Sequence, residues 1–137
     1  MRTLLLSLFL VLAALPGWAQ TPPVELTGQV SQRSLKMGQS LKLTVEVSAD
    51  PGVDLKLPEA ASLTFEPWEV RDAVLVRLPS QRGRDRWRYT FRLAGYEPGN
   101  LEVPPLKLSY TFAGLPREAA SEAVGVTVAE PEKQPEG

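Results

Sequence analysis

The residues best suited to recognition chemistry in this sequence are arginines: Arg77, Arg82, Arg84, Arg86, Arg88 and Arg92 fall within one short stretch. A guanidinium presents a planar fork of donors that fits carboxylate and phosphate groups. A cluster of them can form an anion-binding face for a polysaccharide, a lipid headgroup or an acidic protein. The competing reading is a solvated strand face. Arg86, Arg88 and Arg92 alternate with Trp87, Phe91 and Leu93, which turns these three arginines outward. An acid such as Glu46 on a neighbouring strand would pair with them as ordinary cross-strand chemistry, and arginine also guards a sheet edge. Arg82 and Arg84 flank Gly83 at a hairpin tip, where loops present ligands. They are the better candidates for partner contact.

Trp68, in Phe65-Glu-Pro-Trp-Glu-Val70, is the aromatic least explained by strand alternation. It reads either as an exposed platform for sugar stacking or partner binding, or as a core plug where the chain crosses between sheets. Trp87 and Tyr89 share the inward parity and read as core. Tyr96 precedes a Pro-Gly turn and is expected to pack beneath it, with its hydroxyl on a nearby backbone group.

Catalysis finds little support. Glycoside hydrolysis needs two carboxylates held apart across a cleft. Glu66 with Glu69, and Asp72 with Asp85, are the nearest approximations. A small domain offers little cleft, and acids beside turns are common on any surface. Asp50 and Asp54 flank a turn without the spacing of a calcium loop. The chain has no His and no Cys, which removes the commonest metal ligands, general bases and thiol nucleophiles. Its two methionines do not make a methionine-rich copper site. The expectation is no catalytic residue, no metal and no cofactor.

The elements that must carry these side chains are strands. Leu41, Leu43, Val45 and Val47 alternate with Lys42, Thr44, Glu46 and Ser48, so one face is buried and the other wet. Arg86 to Leu93, Leu106 to Phe112 and Val124 to Val128 repeat the pattern. Each buried aliphatic or aromatic side chain here contributes roughly 1.5–3 kcal/mol relative to exposure. Weaker strands are expected at Val24 to Val30, Leu35 to Met37 and Val53 to Leu57. Leu63 to Val70 is broken by Pro67 and suits an edge or a loop. Ala73 to Leu78 is apolar on both parities apart from Arg77. Turns fall at Asp50-Pro51-Gly52, Arg82-Gly83, Glu97-Pro98-Gly99-Asn100 and Gly114-Leu115-Pro116. Pro104-Pro105 interrupts a strand run, which predicts a kink where the chain leaves one partner strand for another.

The ends read differently. Arg2 followed by the apolar run Leu4 to Leu15, Pro16 and Gly17-Trp18-Ala19 is laid out as a cleavable signal peptide over residues 1–19. Export to the periplasm or cell surface follows. No second apolar run of membrane-spanning length appears. Glu130 to Gly137 is acidic and proline-rich, as expected of a disordered tail or linker. Residues 20–129 are then one domain of ordinary size, folded by packing alone in a compartment that permits disulfides. With 15 basic and 16 acidic side chains the chain carries no basic excess, so nucleic acid is not expected as a partner. Seven to nine short strands joined by turns predict an all-β fold, an immunoglobulin-like antiparallel β-sandwich.

Within that frame, Ser34-Leu-Lys-Met-Gly-Gln-Ser40 leads into the alternating strand. Later come Tyr89-Thr-Phe-Arg-Leu93 and Pro98-Gly-Asn-Leu-Glu-Val-Pro-Pro-Leu-Lys-Leu-Ser-Tyr110. This pattern resembles the N-terminal immunoglobulin-like domain of the BatD (oxygen tolerance) family of bacterial envelope proteins. The resemblance implies a non-catalytic, exported protein-interaction module that acts as a scaffold. It further implies partners among envelope proteins, including membrane proteins with von Willebrand factor A domains. Arg82, Arg84 and Trp68 are the contact candidates. The rival reading is a carbohydrate-binding accessory domain, which requires Trp68 or Tyr96 exposed in a shallow groove.

Overall fold

The computed structural model describes residues 21–131, and the expected signal peptide and most of the expected tail lie outside that range. Ten strands form among the described residues: β1 Val24–Val30, β2 Ser34–Lys36, β3 Ser40–Ala49, β4 Asp54–Leu55, β5 Glu69–Gln81, β6 Arg84–Ala94, β7 Gly99–Val103, β8 Lys107–Phe112, β9 Leu115–Ala120 and β10 Val124–Ala129. A single 3-10 turn, Ala60–Ser62, is the one helical element among the described residues. The fold is a β-sandwich. One layer is a four-stranded sheet in the order β1-β3-β6-β5. Two three-stranded sheets, β2-β10-β7 and β4-β8-β9, complete the architecture.

The count exceeds the expected seven to nine because of β9, Leu-Pro-Arg-Glu-Ala-Ala, a poor strand former that borrows its conformation from β8 across a tight turn. The strand expected at Val53 to Leu57 forms only as the two-residue β4. Pairing is antiparallel except for β2, which runs parallel to β10. The kink after Val30 causes this: β1 pairs with β3, while β2 crosses to the other layer beside the last strand. Pro104 and Pro105 work in the same way. They separate β7, which pairs with β10, from β8, which pairs with β4 and β9. A residue without an N–H ends one ladder, and the chain starts another.

The core follows from strand parity. Leu41, Leu43, Val45 and Val47 of β3 lie opposite Leu93, Phe91, Tyr89 and Trp87 of β6. All but Trp87 are essentially inaccessible to solvent. Leu106, Leu108, Tyr110, Val124, Val126 and Val128 supply the facing layer. Phe91 meets Phe65 edge-on with centroids 4.7 Å apart, and Tyr89 stacks on Phe91 at 5.7 Å. These are the offset geometries that an aromatic quadrupole favours. The Tyr89 hydroxyl donates to the Pro58 carbonyl at 2.6 Å, which ties the loop carrying the 3-10 turn to the core. Burial pushes the Tyr89 phenol up to about 12.

Candidate functional site

The β5–β6 hairpin carries most of the residues that could engage a ligand. Its tip is a two-residue turn. Arg82 (φ 54°) and Gly83 (φ 76°) both adopt left-handed backbone, and Gln81 pairs with Arg84 on either side. This is the mirror-image turn that matches strand twist, and it normally uses Asn-Gly. Arg82 therefore occupies its position at a conformational cost, with its side chain exposed. Arg82→Asn is expected to raise stability by about 0.5–1 kcal/mol, read as an upward shift in the urea midpoint.

Arg84 is held quite differently. One guanidinium nitrogen bonds the Asp50 carboxylate at 3.0 Å. The other reaches the carbonyls of Pro22 (3.0 Å), Pro23 (3.3 Å) and Ser48 (3.4 Å). Its side chain is only 16 % exposed. Arg84 is thus a clasp that pins the segment leading into β1 against the end of β3, and it is not a free contact for a partner. Asp50 is consumed by the same bond and does not join Asp54 in a cation site. Arg84→Met keeps the apolar stem but strands Asp50 and three carbonyls. The expected loss is about 1–2 kcal/mol, because Asp50 and the carbonyls remain within reach of water. Faster amide exchange at Asp50, whose N–H bonds Pro23, would show the loosened segment. An unchanged exchange rate would contradict the clasp.

Two of the three outward arginines are paired as strand chemistry predicts. Arg86 bonds Glu46 at 2.9 Å and Arg88 approaches the same carboxylate at 3.8 Å. Arg92 sits between Lys42 on β3 and Asp72 on β5 in the ladder register. Arg77 shares the parity of Leu75 but is exposed at the end of the sheet, where it bonds Asp85 at 3.2 Å and lies over the Trp87 ring at 5.4 Å. Trp87 is accordingly half-buried rather than fully core. The six arginines do not share one face: Arg77 lies with Asp85 and Trp87, Arg86, Arg88 and Arg92 lie on the outward face of β6, and Arg82, Arg84 and Arg86 border one cavity with Glu25 and Asp50.

Trp68 corrects the expectation of a contact residue. It is 4 % exposed, and its indole N–H donates to the Glu102 carbonyl on β7 at 3.0 Å. The ring closes one end of the sandwich, packed so tightly on Gly95 that a Cβ there would lie 2.8 Å from the indole. The tight turn Phe65–Trp68, whose Glu66–Pro67 peptide bond is cis, sets this position. No sugar can stack on Trp68. Tyr96 also departs from expectation. It is 43 % exposed, and its hydroxyl accepts a hydrogen bond from Arg71, whose guanidinium also lies over the ring. Tyr96 and Glu69 together hold the Arg71 pKa above its ordinary value, Tyr96 contributing more. Gly95 explains the outward turn of the Tyr96 ring, since the space beneath the chain is already filled by Trp68 and Val128.

The carboxylates do not converge. Asp72 lies opposite Arg92, whereas Asp85 lies near the hairpin tip with Arg77 and Ser80. Among the described residues, no group of three or more acids could hold a metal ion. No helix among them is long and apolar enough to cross a membrane.

The feature that sequence reasoning missed is the free edge of β5. This strand is 13 residues long, the longest among the described residues, yet among them only β6 pairs with it. Val74 and Val76 point outward and are 47 % and 43 % exposed. Val74, Val76 and Leu78 form the apolar strip of that outward face, opposite Thr90, Arg88 and Arg86 on β6. A signal was present in the sequence: Ala73 to Leu78 is apolar on both parities, which implies cover on both faces.

A family model described as the BatD DUF11-like domain matches residues 28–128, from the last residues of β1 to Val128 of β10. The chain belongs to the BatD family. The match covers both layers of this BatD-family domain, including the whole β5–β6 hairpin. No curated protein matches the chain.

Proposed function

We propose that this BatD-family domain is a non-catalytic scaffold module of the bacterial cell envelope, and that its β5–β6 hairpin is the interaction surface. One observation carries the reading. The longest strand lies at a sheet edge with an open backbone and two large β-branched side chains in water. Soluble proteins ordinarily blunt such an edge, and an exposed apolar strip beside it marks a site of protein contact. The family match supports envelope association, and the signal-peptide pattern supports export. The hairpin tip adds Arg82, an exposed cation poised for an acidic group on another envelope protein, such as a membrane protein with a von Willebrand factor A domain.

Photo-crosslinking in cells tests this proposal. A crosslinking side chain at position 76 or 82 of the exported full chain should give protein adducts. The same group at Thr127, exposed on β10 in the other layer, should give few. Capture of a von Willebrand factor A protein from position 82 is the expected result. Without protein adducts from either hairpin position, and with the pure domain retained on envelope polysaccharide, sugar binding would replace this reading. Tyr96 would then be its anchor, since Trp68 is buried.

A further inference from the structure

The open edge of β5 is matched to itself. Two register irregularities interrupt the β5–β6 ladder, one between Val70 and Asp72 and one between Leu78 and Gln81. Between them runs a regular stretch from Asp72 to Leu78, and Leu75 is its midpoint. The Ala73 N–H bonds the neighbouring Asp72 carboxylate at 3.1 Å instead of a strand partner. Antiparallel alternation turns the N–H and C=O groups of Leu75 and Arg77 to the same open side. Ala73 shares their parity, and no strand of the described residues lies on that side of β5.

We propose that β5 pairs with β5 of a second copy of this chain, antiparallel, about a two-fold axis through Leu75. The inference rests on the hairpin being an interaction surface, and it names the occupant of its edge. A two-fold at Leu75 superposes the two regular stretches end to end, so neither irregularity falls inside the new ladder. Ala73 then lies opposite Arg77 of the second copy, and Leu75 opposite its own equivalent. These are the residues whose polar groups face outward, so N–H and C=O groups meet in register. Val74 lies opposite Val76 of the second copy, and the reverse pair forms at the same time. The four valines make one apolar cluster on the outward face, where β-branched cross-strand pairs are favourable.

The charges fit as well. Asp72 meets Leu78, and no like charges stand opposite each other. Arg77, the single cation of the stretch, is held on its own subunit by Asp85 and Trp87. The Asp72 carboxylate, which occupies the Ala73 N–H in the single chain, is displaced by the carbonyl of Arg77 of the second copy. An isologous contact of this kind closes on itself and does not propagate. One strand per subunit buries less than the roughly 1,200 Å² of a stable complex, so the dimer is expected to be weak and reversible.

Sedimentation of the purified exported chain, from about 1 μM to about 1 mM, tests the pairing. The wild type should shift from monomer to dimer across that range. Val74→Lys with Val76→Lys, and separately Val74→Asp with Val76→Asp, should each remain monomeric, with dimerisation weakened at least about tenfold. Mixing the two variants should restore a dimer, because each lysine then faces an aspartate. Both positions point into water, so the fold should survive, and an unchanged circular-dichroism spectrum checks this. A wild type that stays monomeric at the highest concentration overturns the proposal, as do single-sign variants that dimerise like the wild type. The scaffold reading fails separately, if the crosslinker at position 82 captures no other envelope protein.

Discussion

Trp68→Ala is expected to cost about 3–5 kcal/mol of stability, the range for deleting a large aromatic from a core. The indole is buried, fills the space above Gly95 and bonds the Glu102 carbonyl. Its removal leaves a cavity at the end of the sandwich that β5, β6 and β7 share. The loss is a large fraction of the 5–15 kcal/mol that holds a typical domain together. Denaturation by urea measures it directly, and a change below about 1 kcal/mol would show that Trp68 is peripheral. Gly95→Ala sharpens the test. In the wild type the added methyl collides with the indole and should cost about 1–3 kcal/mol. In the Trp68→Ala background the collision with the indole is gone and only the contact with Val128 at 3.2 Å remains, so the two substitutions should be non-additive. Simple additivity would mean that the two residues do not meet.

The second large effect is alkaline. Tyr89 is fully buried, and burial pushes its phenol up to about 12 from an ordinary value of 10. A folded-state pKa above the unfolded one means that the native protein holds this proton more tightly. The corresponding stability is fully present below pH 10 and is lost as the pH rises through 12. The loss is at most about 2.7 kcal/mol, two pH units of differential proton binding. Exposed Tyr96 and the largely buried Tyr110 are also present, so the assignment needs a variant. Tyr89→Phe should be less stable than the wild type at pH 7 by about 1 kcal/mol, having lost the hydrogen bond to Pro58. It should also lose stability less steeply between pH 10 and 12. Parallel pH profiles for the two proteins would remove Tyr89 as the cause.

The first of these effects also bears on function. A destabilised end of the sandwich moves the start of β5, since Trp68 adjoins Glu69 directly in the chain. Loss of partner capture by Trp68→Ala would therefore reflect the fold and not a contact. Arg82→Asn separates the two roles, because it removes the exposed cation while improving the turn. Capture that falls while stability rises would mark Arg82 as a contact residue.

Much of this architecture was legible in the sequence because strand periodicity is a local property. Strict alternation over Leu41 to Ser48 and Arg86 to Leu93 placed β3 and β6, and parity alone assigned their buried side chains. Val24 to Val30 matches β1 residue for residue. The pairing of Arg86 and Arg88 with Glu46 also followed, because adjacent antiparallel strands bring outward residues of the same face together. Pro104-Pro105 marked the change of sheet, since an imide cannot extend a ladder. Shared residue types likewise sufficed for the family.

What only the tertiary structure decided depends on which strand lies where. β9 was missed because Leu-Pro-Arg-Glu-Ala-Ala has little strand preference and is held by β8. Trp68, Arg84 and Tyr96 each had two readings, and packing chose between them. Gly95 leaves room for the indole inside and so turns Tyr96 out, and the carbonyls at Pro22, Pro23 and Ser48 draw Arg84 into a clasp. The run Ala73 to Leu78 is apolar on both parities apart from Arg77, but nothing local placed it at an edge. Sheet order is set by contacts between distant segments, so the open edge of β5 became visible only when the strands were assembled.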